Sequence, residues 1–198
     1  DVNSVQSIIS NISEQHPLDV VFHLAGNIDD GLLISQSMER FESVMAPKWM
    51  GAWNLHKATQ DLRLSGFILF SSIAGMIGNA GQGNYAAANA ALESVVRYRR
   101  RRDLSGTVIH WGPWADGGMV DDVLHSHLRS RGMRSMAPLK ALRAMDAALR
   151  GAPTAVGGYC FLIYSISSLN GMNLEDFDFS SFYQHSISNF SICLRETG

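Results

Sequence analysis

Four polar side chains in this sequence have the types and spacing that carbonyl reduction requires. Ser72 ends an apolar run, Tyr85 follows thirteen positions later, and Asn89 lies one helical turn beyond Tyr85. Lys48 lies in the helical stretch that precedes the Ser72 run. Hydride addition to a carbonyl carbon builds negative charge on its oxygen, which then needs a proton donor and hydrogen bonds. A tyrosine supplies both, and a nearby ammonium is expected to lower its pKa from about 10.

Alternating apolar strands and long helices must position these side chains. The sequence predicts buried strands over Leu18–Gly26, Gly66–Ser72 and Thr107–Trp111. It predicts helices over Ser4–Gln15, Met38–Leu62 (interrupted at Pro47), Asn84–Arg102, Val120–Ser130 and Leu139–Leu149. This alternation is typical of a Rossmann-like, doubly wound parallel sheet in the α/β class. Right-handed crossovers bring the strand C-termini to one edge, where ligands bind, so the four polar side chains are expected to converge there.

Composition excludes several other classes of protein. Hydrophobic residues make up 46% of the 198 residues, charged residues only 17%, and the net charge is −2. This balance excludes disorder and gives no basic footprint for nucleic acid. No apolar run is long enough for a membrane span, and no metal-ligand spacing occurs. Two cysteines are too few for a disulfide scaffold, so we expect a cytoplasmic protein.

Whole segments, and not only the four residues, resemble the ketoreductase domains of modular type I polyketide synthases, in the short-chain dehydrogenase/reductase superfamily. The similar segments are Met45–His56, Phe70–Gly75, Gly81–Ala90 and Trp111–Ala115. Most of that superfamily has lysine four positions after the tyrosine. These ketoreductases have Asn there and an earlier lysine, which is the arrangement of Asn89 and Lys48.

The resemblance implies reduction of a β-ketoacyl thioester by NADPH, with the acyl chain on the phosphopantetheine arm of an acyl carrier protein. Other polyketide synthase domains are then partners as well. By the same resemblance, Tyr85 is the proton donor and Ser72 orients the ketone oxygen. Lys48 supports Tyr85, and Asn89 completes the network.

The resemblance also assigns cofactor and substrate positions. Residues expected beside the cofactor are Asp1, Val2, Ala25, Gly26 and Pro113. Residues expected to guide substrate and stereochemistry are Ile28, Asp29, Asp30, Gln82, Trp114 and Met119. Ile28-Asp29-Asp30 resembles the Leu-Asp-Asp fingerprint of B-type ketoreductases, which form the D-configured hydroxyl. No tryptophan occurs over Met76–Asn84, where A-type enzymes carry one.

Features of the family that precede the catalytic part are not found in this sequence. No Gly-x-Gly-x-x-Gly loop occurs, and the start at Asp1 has neither Met nor a signal peptide. We therefore expect the C-terminal portion of the fold, without the first βαβ unit that carries the Gly-rich loop. Residues 1–150 are expected to form the catalytic part. Residues 151–198 are expected to hold a last strand, near Ala155–Tyr164, and a divergent tail.

Other interpretations of the same residues remain open. The chain also fits the ketoreductase of an animal-type fatty acid synthase, or a non-catalytic structural fragment that cannot bind cofactor alone. Asp29 and Asp30 are equally expected to cap a helix, and Asn84 or Asn89 to cap one or face solvent. Trp111 and Trp114 fit either the core or a pocket wall. Arg99–Arg102 at a helix end predict a solvated face.

Overall fold

A computed structural model describes residues 1–12, 15–115, 126, 135–150, 159–160 and 191–194. Its centre is a five-stranded sheet in the order β4-β3-β2-β1-β5. The strands are β1 Leu18–His23, β2 Gly66–Ser72, β3 Thr107–Trp111, β4 Tyr159–Cys160 and β5 Ser191–Leu194. Strands β1 to β4 run parallel, which confirms the predicted α/β fold class.

Helices alternate with the strands as the sequence pattern predicts, and the short helix that directly follows β2 is an addition that the sequence did not predict. Their bounds are α1 Val2–Ser10, α2 Met38–Met45, α3 Gly51–Thr59, α4 Ala74–Ile77, α5 Gly83–Arg100 and α6 Pro138–Arg150. A π-helical turn, Ala46–Met50, joins α2 to α3 and contains Pro47 near its start. The predicted interruption at this proline therefore takes the form of a wider turn, and the helix continues beyond it.

The core lies on both faces of the sheet. Phe67 and Leu69 of β2 point into a cluster with Leu55 of α3 and Leu92 of α5. Ile68, between them, points to the opposite face. There β3 and α6 supply Ile109, Trp111, Ala141, Ala144 and Met145 to a second cluster. Burial of consecutive residues on alternate faces explains why β2 has a continuous apolar sequence.

The C-terminal region differs from the sequence prediction. The last parallel strand is β4, Tyr159–Cys160, which is shorter than the range Ala155–Tyr164 where a last strand was expected and lies within it. An unpredicted strand, β5, pairs antiparallel with β1 at the sheet edge. Its sequence, Ser191–Leu194, is short and carries no turn signal that would mark it as a strand. The helix predicted over Val120–Ser130 lies outside the described residues, except for one helical position at residue 126.

Candidate active site

Lys48 reaches the C-terminal edge of the sheet from the π-helical turn. Its side chain is buried, and Nζ donates to the carbonyl oxygens of Phe70 (3.1 Å) and Ala25 (3.5 Å). Nζ also lies 5.9 Å from the ring centroid of Tyr85. Burial lowers the pKa of Lys48 to about 8, because the charged form loses its hydration. A π turn at this position agrees with the frequent occurrence of such turns at functional sites.

His23, the last residue of β1, fixes the backbone that carries Lys48. Its ring is fully buried, and Nε2 lies 2.8 Å from the carbonyl oxygen of Lys48. A Cβ on Gly51 would lie 3.0 Å from the His23 ring. Burial lowers the pKa of His23 to about 4, so the imidazole is neutral near pH 7. Because the ring is neutral, its Nε2–H donates to the Lys48 carbonyl without adding a charge beside the ammonium.

Tyr85, in the first turns of α5, has a pKa that differs from the sequence expectation. We expected the nearby ammonium to lower it, but burial raises the pKa of Tyr85 instead. Polar contacts with the side chains of Ser72 and Asn89 oppose this shift without cancelling it. The expectation was wrong because desolvation of the phenolate is the larger effect. Tyr85 is therefore a protonated phenol near pH 7, the form required of a proton donor.

Asn89 is fully buried, so the alternative of a solvent-facing amide is wrong. Its Nδ2 donates to the Tyr85 carbonyl oxygen one turn earlier, at 2.9 Å. Its Oδ1 is buried and has no hydrogen-bond partner among the described residues. A buried acceptor without a partner carries a desolvation cost. An ammonium, a water molecule or a ligand hydroxyl at this point would satisfy it.

Ser72 ends β2, and its Oγ accepts a hydrogen bond from the Ala74 N–H at 3.2 Å. The Ser72 hydroxyl also makes a polar contact with the Tyr85 side chain. The preceding Ser71 belongs to a buried network that sequence reasoning missed. Ser71 Oγ donates to the Asn89 carbonyl oxygen (3.1 Å) and lies 3.2 Å from His110 Nδ1. On its other side, His110 Nε2 lies 3.3 Å from Glu93 Oε1.

Asp29 and Asp30 lie in the turn that follows β1. The Asp29 carboxylate pairs with Arg40 at 2.6 Å, and the guanidinium holds the pKa of this carboxyl below its usual range. Gln82 Nε2 donates to Asp30 Oδ2 at 2.8 Å. The alternative role as helix caps is therefore not the one observed, since both carboxylates bind side chains. Ile28 precedes them, with its N–H bonded to Asn27 Oδ1.

The remaining predicted site residues lie at several places. Ala25 and Gly26 follow β1, and Pro113 follows β3, at the same sheet edge. Trp114 is half-buried against Trp111, with ring centroids 5.0 Å apart, and Trp111 itself is in the core. Asp1 and Val2 begin α1, where Asp1 is the N-cap. Met119 lies outside the described residues.

The solvent-facing alternative for Asn84 and the solvated face predicted for Arg99 are both wrong. Asn84 is fully buried, where its Oδ1 accepts from the Tyr85 N–H and its Nδ2 donates to the Asp29 carbonyl oxygen. Arg99, expected on a solvated face, is also fully buried. Its guanidinium stacks 3.9 Å from the Phe67 ring centroid and donates from Nε to the Ser105 carbonyl oxygen at 2.6 Å. Each residue has at least one partner far away in the sequence, Asp29 for Asn84 and Phe67 for Arg99, which no local pattern reveals.

The polar groups at the sheet edge fit one end of a nicotinamide nucleotide. The Lys48 ammonium has three donors, and the Asn89 Oδ1 acceptor is unpartnered among the described residues. These groups suit the hydroxyls of a ribose. The Gly-x-Gly-x-x-Gly loop that commonly binds the diphosphate does not occur in the sequence. None of the described helices is long and apolar enough to cross a membrane.

A protein-family model named the KR domain matches residues 1–116. The chain belongs to the KR domain family. Among curated proteins, it is 43% identical to the spectinabilin polyketide synthase system protein NorB of Streptomyces orinoci, over 74% of this chain and 7% of that protein. It is 42% identical to the polyketide synthase GfsB of Streptomyces halstedii, over 75% of this chain and 3% of that protein. The chain thus spans a small part of these KR-containing relatives, and its family lies in the short-chain dehydrogenase/reductase superfamily.

Solved KR structures agree with the fold. PlmKR1, the ketoreductase from the first module of phoslactomycin biosynthesis in Streptomyces sp. HK803, gives a TM-score of 0.71 at 37% identity. That match covers 75% of this chain and 35% of PlmKR1. An A-type ketoreductase gives 0.75 at 35% identity, over 78% of this chain and 33% of that chain. A C2-type ketoreductase gives a TM-score of 0.72 at 29% identity, and that match covers 81% of this chain and 34% of the other chain. Because different stereochemical types match equally well, the fold does not distinguish among them.

Proposed function

We propose that this chain carries the catalytic residues of a polyketide synthase ketoreductase that reduces a β-ketoacyl thioester to the β-hydroxyacyl thioester. The acyl chain is held by an acyl carrier protein, and neighbouring synthase domains supply and receive it. One observation carries the proposal. A buried ammonium, Lys48, lies beside the ring of a protonated Tyr85 at the sheet edge where Ser72 and Asn89 also lie.

The residues of this chain divide the chemistry among them. NADPH, when bound, supplies the hydride that reduces the ketone carbon. Ser72 Oγ donates a hydrogen bond to the ketone oxygen and orients it. Tyr85 Oη transfers its proton to that oxygen, so that the carbonyl becomes a hydroxyl and Tyr85 becomes a phenolate. Lys48 then supplies a proton to the phenolate through a water molecule that Asn89 Oδ1 would hold between them as a hydrogen-bond acceptor. An ammonium of lowered pKa gives up this proton more readily than a solvated lysine.

We further propose B-type stereochemistry, which gives the D-configured hydroxyl. The support is the Ile28-Asp29-Asp30 sequence and the absence of tryptophan over residues 76–84. The structure adds that this turn lies against the start of α5, where Gly31 N–H donates to the Gly81 carbonyl oxygen at 2.7 Å. The turn is thus next to the helix that carries the proton donor.

Tyr85→Phe tests the proton-donor role, in the full-length polypeptide that carries these residues. Loss of the hydroxyl removes the general acid, so we expect kcat to fall by about 100-fold or more. NADPH affinity, measured by calorimetric titration, is expected to stay near the wild-type value, because the ring is retained.

Tyr98→Phe is the matched control. Tyr98 lies on the same helix, but its ring packs on Trp53 and on the guanidinium of Arg102, away from the sheet edge. We expect this control to keep wild-type turnover. Unchanged turnover in Tyr85→Phe would contradict the proposal.

A further inference from the structure

Arg40 of α2 binds the Asp29–Gly31 turn with most of its donors. Nε and Nη2 both donate to Asp29 Oδ1, at 2.9 and 2.6 Å. Nη2 also donates to the carbonyl oxygens of Asp30 (2.6 Å) and Asp29 (3.3 Å). Nη1 donates to the Ser35 carbonyl oxygen at 3.2 Å. One guanidinium therefore fixes a carboxylate and three successive or nearby carbonyl groups, which the single ammonium of lysine cannot reproduce.

The guanidinium lies directly against the turn. A Cβ on Gly31 would lie 2.6 Å from Arg40 Nη1, a distance at which one of the two groups must move. Glycine at position 31 therefore allows the close approach. The ion pair is about one-third exposed on both sides, at 28% for Arg40 and 34% for Asp29. Arg40 thus acts at the rim of the site and away from the reacting atoms.

The opposite side of the turn is tied to the start of α5. Asn84 Nδ2 donates to the Asp29 carbonyl oxygen at 2.8 Å, and Asn84 Oδ1 accepts from the Tyr85 N–H at 2.8 Å. Gln82 Nε2 binds the Asp30 carboxylate, and Gln82 Oε1 accepts from Asn79 Nδ2 at 2.9 Å. The turn therefore has a fixed position relative to the backbone of Tyr85, and Arg40 supplies the restraint from the other side.

Both carboxylates of the turn are occupied by bonds within the chain. Asp29 is paired with the Arg40 guanidinium, and the Asp30 carboxylate is held in place by the neutral Gln82 amide. These bonds fix both side chains and, with them, the shape and position of the turn. Whatever holds this shape controls which face of the ketone is presented to the hydride.

We propose that Arg40 is a positioning residue for stereochemical specificity, which acts by holding the Asp29–Gly31 turn against the start of α5. This inference rests on the proposed ketoreductase function and adds a residue that does not touch substrate or cofactor. Its loss alters the balance between the two faces of the ketone, whereas the proton donor and its supporting groups stay in place.

Arg40→Met in the full-length polypeptide tests the proposal, with the two configurations of the β-hydroxyacyl product separated by chiral chromatography. We expect the ratio of D to L product to fall by about tenfold, with kcat within about threefold of wild type. Arg40→Lys keeps one charged donor and is expected to give an intermediate ratio. Arg63→Met, an exposed arginine in the loop before β2, is the matched control and is expected to keep the wild-type ratio.

Asp29→Asn provides a second route if Arg40→Met does not fold. This variant keeps the acceptor oxygen but removes the charge. We therefore expect its ratio of D to L product to fall, as in Arg40→Lys. In the double variant Asp29→Asn/Arg40→Lys, we expect the change in the ratio of D to L product to be smaller than the two single changes combined, because the two residues act as one unit. If folded Arg40→Met or Asp29→Asn gives the wild-type ratio of D to L product, the proposed role of Arg40 is overturned, whereas the proposed ketoreductase function is not. A wild-type protein that reduces no β-ketoacyl thioester would overturn the proposed function and, with it, this inference.

Discussion

Lys48 and Tyr85 are both desolvated, and burial moves their pKa values in opposite directions, so that the lysine becomes the stronger acid of the two. The pKa of Lys48 falls to about 8, whereas that of Tyr85 rises above its usual value. Burial disfavours the ammonium of one and the phenolate of the other. Proton donation leaves Tyr85 as a phenolate, and the resulting charge favours the Lys48 ammonium beside it. The cost of burying the Lys48 ammonium is therefore highest before proton transfer, and attraction to the phenolate offsets part of it afterwards.

Burial of Lys48 also predicts how stability varies with pH. An unfolded lysine has a pKa of about 10.4, so between pH 8 and 10 the unfolded chain holds a proton that the folded chain has released. The free energy of unfolding must then rise with pH over this window. Below about pH 8 both states are protonated, and this dependence disappears.

Lys48→Met is expected to remove this rise. Relative to the variant, the wild-type chain should gain about 2 to 3 kcal/mol between pH 7.5 and pH 10, measured by urea unfolding. Lys140→Met, at an exposed lysine of α6, is the control and should follow the wild-type pH dependence. Parallel pH profiles for the wild type and Lys48→Met would show that Lys48 is not desolvated.

Residue types and spacing predicted the four catalytic candidates but not the side chains that hold them. Tyr85 and Asn89 share a helix, so their proximity follows from helical period. Arg40 meets Asp29, and Glu93 meets His110, only because separate elements pack together. No local pattern encodes such pairs. Buried Arg99 was missed for the same reason, since its guanidinium meets Phe67 of β2 and Thr59 of α3.

At the scale of elements, the contact between α4 and α5 sets the position of Asn89. Gly75 of α4 lies so close to α5 that an added Cβ would be 2.9 Å from the Ala90 backbone nitrogen and 3.0 Å from Asn89 Cβ. Backbone atoms cannot give way as a flexible side chain can. The close approach therefore depends on glycine and determines how far α5 lies from the end of β2.

Gly75→Ala is expected to push α5 outward at Asn89. We expect a loss of about 1 to 3 kcal/mol in the free energy of unfolding, typical of overpacking, and a lower kcat in the full-length polypeptide. Gly83→Ala is the matched control, because nothing lies within 4 Å of its added Cβ. It should leave stability unchanged or raise it slightly. Equal stability of the two variants would contradict the close packing of α4 on α5.

Strands were predicted well where burial on both faces gives a continuous apolar run. The bounds of β2 and β3, Gly66–Ser72 and Thr107–Trp111, match the prediction residue for residue. The predicted first strand ends earlier, at His23, because the chain turns toward Asp29 beyond it. Strand β5 was missed, since its place on β1 depends on an unpaired edge and not on its own sequence.

At the scale of the whole molecule, the described part holds the sheet edge with the candidate catalytic residues, and the sequence has no Gly-x-Gly-x-x-Gly loop. Helix N-termini can bind a diphosphate through free N–H groups. Here α1 is capped by the Asp1 carboxylate, and α2 begins with Ser37 as its cap and Glu39 in its first turn. The Asp1 carboxylate already occupies the position of an anion at the start of α1, and the Glu39 carboxylate would repel an anion at the start of α2. At the start of α5, Gln82 is bonded to Asp30 and Asn79.

The 198-residue chain is therefore expected to bind NADPH weakly or not at all. Lys48 and Asn89 can bond to a ribose hydroxyl, but a few hydrogen bonds at one end of the cofactor do not offset the cost of ordering it. Calorimetric titration of the chain should give a dissociation constant weaker than about 1 mM. Micromolar affinity would contradict this expectation and would require a diphosphate site among the remaining residues. The full-length polypeptide, titrated in parallel, separates the two cases, because binding there and not in the chain places the phosphate-binding groups outside residues 1–198.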